Sequence, residues 1–247
     1  MEYEISPKKK KKKEKEKEKE KKKKKKKMYV VSFDVGIKNL AFAVARVTYG
    51  SCGGGSGSTS SGSSTNGSKS SGGKNKENKL VVVERWGTVC VCPTNARALT
   101  KQSAVEHVIR ALDELDFLAC DTVLVESQPR IAQQNVHVAH AIATYFVVRK
   151  RADLDEPVAV HFVHASMKNA LSVRVLGQRA ALDRTCTVKY AKYARNKRQA
   201  IEACEALVAR DGTLRATWDA FAKKDDAADA LLQIVAWCDA HAVTRGA

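Results

Sequence analysis

Two low-complexity stretches limit how much of this 247-residue chain can enter a folded core. Residues 1–27 contain 16 Lys and 6 Glu and almost no apolar side chain, so they lack the surface that a compact structure must bury. Residues 50–79 consist mainly of Gly, Ser and other polar residues, which is typical of a flexible linker or loop. The other residues, about 190 in number, suffice for one well-buried domain. We therefore expect a disordered Lys/Glu-rich tail at 1–27 and one domain at 28–247 that carries a flexible insertion at 50–79.

The positive charge of the chain is concentrated in this tail. The formal net charge is +17 at pH 7, of which the tail supplies +10. Strongly basic proteins commonly bind nucleic acids, because the polyphosphate backbone attracts them. A run of Lys and Glu is also typical of a segment that is simply solvated. The charge therefore allows a nucleic-acid partner, but the argument for one has to come from the folded part.

Cysteine usage and hydropathy bear on the compartment. The seven cysteines are scattered and form no paired C-x-x-C spacing, which indicates reduced thiols rather than a zinc site or a disulfide framework. No apolar run reaches the roughly 18 residues that a membrane span needs, and the N-terminus lacks the apolar core of a signal peptide. The sequence therefore predicts a soluble, intracellular protein.

The apolar pattern changes once along the chain. Three β-branched and aromatic runs come first and predict an antiparallel meander of strands. They are followed by helical patterns that alternate with two continuous apolar runs, of the kind found in strands buried on both faces. This order predicts an α/β fold, in which a mixed five-stranded sheet is flanked by helices on both sides. The predicted strands cover residues 28–36, 40–49, 79–91, 121–127 and 158–165, and the predicted helices cover 99–115, 133–150, 196–210 and 218–241.

Four acidic residues lie at the ends of predicted strands or on the last predicted helix. Asp34 ends the first strand, and Glu126 ends the fourth. Asp226 and Asp229 are three residues apart, which places them about 60° apart around a helix. Asp225 is four residues before Asp229 and shares a face with it as well, so it is an alternative to Asp226. A buried carboxylate costs several kcal/mol unless it is paired or binds a metal, so this set calls for a physical reason.

Each of these acids also has an ordinary structural explanation. Asp34 precedes a Gly by two residues and could be a turn former. Glu126 could form an ion pair with Arg130, and the acids of the last helix could lie on a solvated face. Four carboxylates that converge on one point, however, could not all stay ionised without divalent cations. Oxygen ligands of this kind suit Mg²⁺ or Mn²⁺, and a pair of such ions can assist the hydrolysis of a phosphodiester.

Three segments that contain these acids resemble the Holliday junction resolvases of the RuvC class, and most of all their poxvirus and large-DNA-virus branch and the related mitochondrial resolvases of fungi. The segments are "FDVGIKNLAFAV" (33–44), "VLVESQPR" (123–130) and "KKDDAADALLQ" (223–233), in that order. The resemblance extends over residues 28–241. It implies a ribonuclease H-like fold, a homodimer that binds four-way DNA junctions, and symmetric Mg²⁺-dependent cleavage of two strands, in which Mn²⁺ can substitute.

The resemblance also implies roles for individual residues. The acids of the family match Asp34, Glu126, Asp226 and Asp229, which are expected to be both catalytic and metal-binding. The family uses a lysine after the fifth strand, and "VHASMKNAL" (163–171) offers Lys168 for that role. A cation at this place could position the attacking water or offset charge in the transition state.

Further residues are expected to contact DNA because of their place in the sequence. Most protein–DNA contacts go to phosphate, so basic and amide side chains near the acids are candidates. The candidates are Lys38, Asn39, the loop at 128–135, Lys189, Lys192 and the segment 195–199.

The sequence therefore predicts an endonuclease that resolves four-way DNA junctions in recombination, replication or repair. It would act in the host nucleus, or at a cytoplasmic replication site if the protein is viral. Two alternatives stay open: another ribonuclease H-like nuclease that acts on RNA or RNA–DNA hybrids, and a non-catalytic DNA-binding relative. An actin-like ATPase, which the turn "DVGIKN" also resembles, would need a second domain for which this chain has no room.

Overall fold

The computed structural model describes residues 27–49, 79–91, 100–177 and 189–241. The expected tail and insertion lie outside the described residues, except for Lys27 and Lys79, which begin two strands. Among the described residues, no helix is both long enough and apolar enough to cross a membrane. The elements are β1 (Lys27–Val35), β2 (Asn39–Tyr49), β3 (Lys79–Cys90), α1 (Lys101–Leu115), β4 (Thr122–Glu126), α2 (Gln133–Leu154), β5 (Ala159–Val163), α3 (Ala165–Leu176), α4 (Lys189–Val208), α5 (Gly212–Asp219) and α6 (Lys224–His241).

The chain divides into two compact units. The larger unit comprises Met28–Val47 and Val81–Ala247 and contains every site residue discussed below. Of the smaller unit, Met1–Lys27 and Thr48–Leu80, the structure describes only the terminal residues of three strands.

The strands form one mixed sheet in the order β3-β2-β1-β4-β5. The turn between β1 and β2 is too short for a crossover, so these neighbours are antiparallel. β2 and β3 are also antiparallel, since Arg46 pairs with Glu84 whereas Phe42 lies against Gly87, further along β3. β4 is parallel to both β1 and β5. This sheet confirms the predicted fold class as an α/β fold in which a mixed five-stranded sheet is flanked by helices.

The two faces of the sheet carry different contacts. On one face Phe33 of β1 packs against Phe117 and Phe146, with 5.7 Å between ring centroids in both pairs, under α1 and α2. Neighbouring residues of a strand point to opposite faces, so Asp34 points to the other face. There α3, α4 and α6 pack against one another. α6 is buried on nearly all sides from Ala227 to Cys238, which makes it a central helix rather than a surface one.

The predicted single helix at 218–241 is wrong, because the chain breaks between α5 and α6. Residues 220–223 contain neither Pro nor Gly, so the sequence gives no local signal for the break. Phe221 instead packs edge-on against Trp86 of β3, with 4.9 Å between ring centroids, and this tertiary contact fixes the turn. As a consequence Asp225 and Asp226 lie in the first turn of α6, where the helix dipole favours negative charge.

The prediction that the fifth strand is buried on both faces is also wrong. β5 is the last strand of the described sheet, and the side chain of Phe162 is 45% exposed. The strand ends at Val163 because His164 caps a separate helix, α3, by accepting a hydrogen bond from the Ser166 amide. The periodicity of α3 was not recognised in the sequence. The predicted helices at 133–150 and 196–210 correspond to α2 and α4. α2 begins where predicted and ends four residues later, whereas α4 begins seven residues earlier and ends two residues earlier than predicted.

We expect two buried tryptophans to differ in their contribution to stability. Trp86 Nε1 donates to the carbonyl of Ala227 at 2.9 Å, whereas Trp237 Nε1 is buried and finds no acceptor among the described residues. Replacing either ring by Phe removes similar apolar surface, but only Trp86→Phe breaks a buried hydrogen bond. Trp86→Phe should therefore lower the free energy of unfolding more than Trp237→Phe, by about 1 kcal/mol or more in urea titrations. Equal losses would contradict the assigned bond.

Candidate active site

The pairing of β1 with β4 places two carboxylates side by side. The strands are parallel, and Phe33 pairs with Val125 in their register. The next residue on each strand is an acid, Asp34 on β1 and Glu126 on β4, so both side chains leave the same end and the same face of the sheet. The two acids found at strand ends in the sequence are thus brought together by strand pairing alone.

The chain after Asp34 is fixed by a tight turn. A Cβ atom on Gly36 would lie 2.5 Å from the backbone oxygen of Asn39, so this turn needs glycine. The Lys38 carbonyl accepts a hydrogen bond from the Val91 amide at 2.9 Å. On the other side, Asn135 Nδ2 donates to the carbonyl of Val35 at 3.3 Å. These bonds hold the end of β1 and the turn in place beside the acids.

Two helices complete the cluster. Lys168 lies in the first turn of α3, and its side chain is only 8% exposed. Its Nζ is 2.7 Å from Asp229 Oδ2 of α6, 3.0 Å from Glu126 Oε1 and 3.9 Å from Asp34 Oδ1. One lysine therefore contacts carboxylates from three separate elements. We call Asp34, Glu126, Asp229 and Lys168 the acidic cluster.

Burial opposes ionisation of the carboxyls in this cluster. It raises the pKa of Asp34 well above the ordinary value, and a hydrogen bond with Glu126 raises that pKa further. Burial also raises the pKa of Glu126, but the bond with Asp34 and the charge of Lys168 lower it more, so its pKa falls below the ordinary value. Burial raises the pKa of Asp229 in spite of the nearby lysine. The cluster thus favours a proton on Asp34, which donates to the Glu126 carboxylate.

The acidic cluster suits a divalent metal ion. One carboxylate oxygen from each of Asp34, Glu126 and Asp229 lies within 4.8 Å of the other two. Carboxylate oxygens are the ligands that hard cations such as Mg²⁺ and Mn²⁺ prefer. Once Asp34 loses its proton, a single lysine leaves the three ionised carboxylates with excess negative charge, which a cation would offset. The residues present therefore fit the metal that the sequence resemblance implies.

The two remaining acids of α6 lie outside the group of three. Asp226 pairs with Lys223 at 2.5 Å, and Asp225 pairs with Lys197 at 2.5 Å. Asp226 nevertheless lines the same cleft as the cluster. The structure therefore brings together Asp34, Glu126, Asp229 and Lys168 as expected, and it places Asp226 beside them but not among them.

The acidic cluster lies in a cleft of about 780 Å³. One wall comes from the turn after β1 and the loop after β4, and the opposite wall comes from α4 and the start of α6. Several residues expected to contact DNA line this cleft, and so do further polar residues. The lining includes Lys38, Asn39, Gln128, Pro129, Asn135, Asn196, Lys197 and Lys223. Lys192, which was also expected to contact DNA, does not line the cleft in the described part of the chain, and the side chain of Lys189 lies outside the described residues.

One cleft residue was missed in the sequence. Tyr193 lines the cleft with a side chain that is 62% exposed, and Lys197 Nζ lies 5.1 Å from the centre of its ring. A tyrosine in a basic helix carries no distinctive spacing, so only the fold reveals its position. The ion pair between Lys223 and Asp226 could have been found from its i,i+3 spacing, whereas the pair between Lys197 and Asp225 joins two helices.

No protein-family model and no curated protein matches the chain. Among solved structures, the Fowlpox virus resolvase in complex with its substrate Holliday junction DNA is 14% identical, with a TM-score of 0.48 and coverage of 86% of this chain and 98% of that chain. RuvC of Thermus thermophilus is 13% identical, with a TM-score of 0.46 and coverage of 86% of this chain and 96% of that chain. The yeast mitochondrial Holliday junction resolvase Ydc2 is 14% identical, with a TM-score of 0.47 and coverage of 84% of this chain and 76% of that chain. Each of these three TM-scores lies below 0.5.

We expect Asp34→Asn to stabilise the metal-free protein, and to do so more strongly as the pH rises. A carboxyl whose pKa is higher in the folded than in the unfolded state binds more protons when folded, so stability falls as the pH rises above its ordinary value of 3.8. Asparagine does not titrate and lacks this loss, which amounts to about 1.4 kcal/mol per pKa unit. Thermal unfolding in EDTA from about pH 4 to about pH 7 tests the trend.

The matched control for this experiment is Asp239→Asn, which changes an exposed residue of the same helix that carries Asp229. It lies ten residues further along α6, about 15 Å from the cluster. A stability gain of Asp34→Asn over the wild type that does not grow with pH would show that Asp34 is not held protonated.

Proposed function

We propose that this protein is a metal-dependent endonuclease that hydrolyses phosphodiester bonds in four-way DNA junctions. One observation carries the proposal: carboxylates from β1, β4 and α6 converge on a buried lysine at the floor of an open cleft. A purely structural ion pair needs one carboxylate for one lysine. Three carboxylates around one lysine leave a charge that a bound cation can offset, which is the requirement of a metal-dependent hydrolase.

Asp34, Glu126 and Asp229 would hold Mg²⁺, or Mn²⁺ in its place, and Asp226 would add a ligand from the wall of the cleft. When bound, ions of this kind activate the attacking water and stabilise the leaving oxygen of a phosphodiester. As long as the negative charge of these carboxylates is not balanced, they would repel a DNA phosphate that enters the cleft.

The other side chains of the cleft would bind and orient the substrate. Lys38, Lys197 and Lys223 line the walls and can contact phosphates on either side of the scissile bond. Tyr193 presents an exposed ring on which a base or sugar can stack. The cleft thus combines cations for the backbone with an aromatic surface, as expected for a nucleic-acid substrate.

The choice of a four-way junction follows from the motif resemblance in the sequence. Symmetric cleavage of such a junction needs two sites related by a two-fold axis, so we propose a homodimer. A groove between α1 and α2 supports this proposal. It is lined by Val105, Ile109, Ala141 and Val148, and Val148 is an exposed apolar residue of α2. A second copy would cover this apolar surface.

The compartment would be the host nucleus, or a cytoplasmic viral replication site if the protein is viral.

The test is cleavage of a labelled synthetic four-way junction with Mg²⁺ by the wild type, Asp229→Asn and Asp239→Asn. Asp229→Asn removes a charge that contacts Lys168 and should reduce the cleavage rate at least about 10²-fold, the scale of losing one electrostatic group at an active site. Asp239→Asn makes the same change on the same helix and should cleave like the wild type. Paired, symmetric nicks are expected.

Other outcomes would point to the alternatives. Cleavage only of RNA-containing duplexes would replace the junction by a hybrid or RNA substrate. Junction binding without cleavage by any of the three proteins would favour a non-catalytic DNA-binding protein.

A comparison of two further variants tests whether Asp226 or Asp225 of α6 supports the reaction. Both acids pair with a lysine, but Asp226 lines the cleft, whereas Asp225 is not among the described residues that line it. We therefore expect Asp226→Asn to reduce junction cleavage more than Asp225→Asn, by about tenfold or more, which is about 1.4 kcal/mol in the barrier. The rates of the two variants at saturating Mg²⁺ measure this difference. The opposite order would assign the supporting role to Asp225.

A further inference from the structure

We infer that the ammonium group of Lys168 is the resident cation of the acidic cluster in the metal-free protein, and that binding of a divalent ion displaces it into the cleft. The inference rests on the proposed metal-dependent function. It adds that the lysine and the metal compete for the same carboxylates. Lys168 would then have two positions, one inside the cluster and one in the cleft.

The geometry of Lys168 carries this inference. Its Nζ is within ion-pair distance of Asp34, Glu126 and Asp229, the same three residues whose oxygens lie close enough to share one metal ion. A lysine that only positioned a substrate would point toward the open part of the cleft. Lys168 instead directs its charge to the shared carboxylates and is almost fully buried.

The charges of the two cations make joint occupancy costly. An ammonium and a divalent ion bound to the same three carboxylates would lie a few ångströms apart, and like charges at that separation repel strongly in a buried site. Lysine can respond to this repulsion because its charge is at the end of a flexible four-carbon stem. Lys168 also lies next to open space, since both Lys168 and its neighbour Asn169 line the cleft.

The displacement would have two consequences for the site. Without metal, the lysine offsets the negative charge of the acidic residues that surround it, so the cluster remains assembled. With metal, the released ammonium becomes available to a phosphate in the cleft. Lys168 would therefore contact substrate only when the metal is bound.

Amine modification of the full-length wild-type protein tests this inference. The protein is treated briefly with acetic anhydride in EDTA and at saturating Mg²⁺, and modified lysines are quantified by mass spectrometry. Lys150 is the internal control, because it is 2% exposed and pairs with Glu156 and the Cys120 carbonyl instead of the cluster. We expect acetylation of Lys168 to rise at least about tenfold with Mg²⁺, as its ammonium leaves the ion pairs, and that of Lys150 to stay unchanged.

A variant pair gives a second, independent readout. Lys168→Met should lower the melting temperature in EDTA, and Mg²⁺ should raise that temperature by more degrees than in the wild type. Lys150→Met should also melt lower, but its Mg²⁺-induced rise should equal that of the wild type. In titration calorimetry, Mg²⁺ should bind Lys168→Met at least about tenfold more tightly than the wild type.

The outcomes separate this inference from the proposed function. If Mg²⁺ binds the wild type but Lys168 stays as protected as in EDTA, the displacement is wrong and the metal-dependent nuclease stands. Weaker Mg²⁺ binding by Lys168→Met would also overturn the inference, since it would make the lysine an organiser of the metal site and not its competitor. If Mg²⁺ changes neither the melting temperature nor the modification of the wild type, both the inference and the proposed metal dependence fail.

Discussion

The parallel pairing of β1 with β4 is the constraint on which the rest of the site depends. It places Asp34 beside Glu126 at one end of the sheet, and two partly buried carboxylates side by side need a compensating charge or proton. The two helices add opposite charges to this pair: α3 contributes Lys168, and α6 contributes a third acid, Asp229. The excess of acid over base makes the cleft suited to a metal ion, whereas a balanced set would have made only a buried ion pair.

The parts of the fold that depend on local pattern could be predicted from the sequence. The strands β1 and β4, and the acids near their ends, were predicted from the apolar pattern, whereas the parallel pairing that brings Asp34 beside Glu126 is seen only in the structure. Asp229 was found among the acids of the last predicted helix, and Lys168 was found through the resemblance of a short motif. In the structure Lys168 contacts Asp229 and both strand-end acids.

The parts that depend on tertiary contacts could not be predicted. No Gly or Pro marks the break before α6 in the sequence. The break is fixed by the packing of Phe221 against Trp86, a residue far away in the sequence. The ordinary apolar composition of β5 does not reveal that no further strand lies beside it in the described sheet. The pairing of Asp225 with Lys197, which belongs to another helix, could not be predicted either. Helical spacing alone left the choice between Asp225 and Asp226 open, because both acids share a face with Asp229.

The edge position of β5 also affects how the protein behaves in concentrated solution. A terminal strand offers backbone donors and acceptors to any extended chain that approaches it, and the exposed ring of Phe162 adds an apolar contact at the same place. No lysine or proline interrupts the five residues of this strand, although natural edge strands often carry such residues as a protection against sheet extension. Self-association of this protein can therefore start at β5 by strand addition, a route to aggregates that is separate from the proposed homodimer.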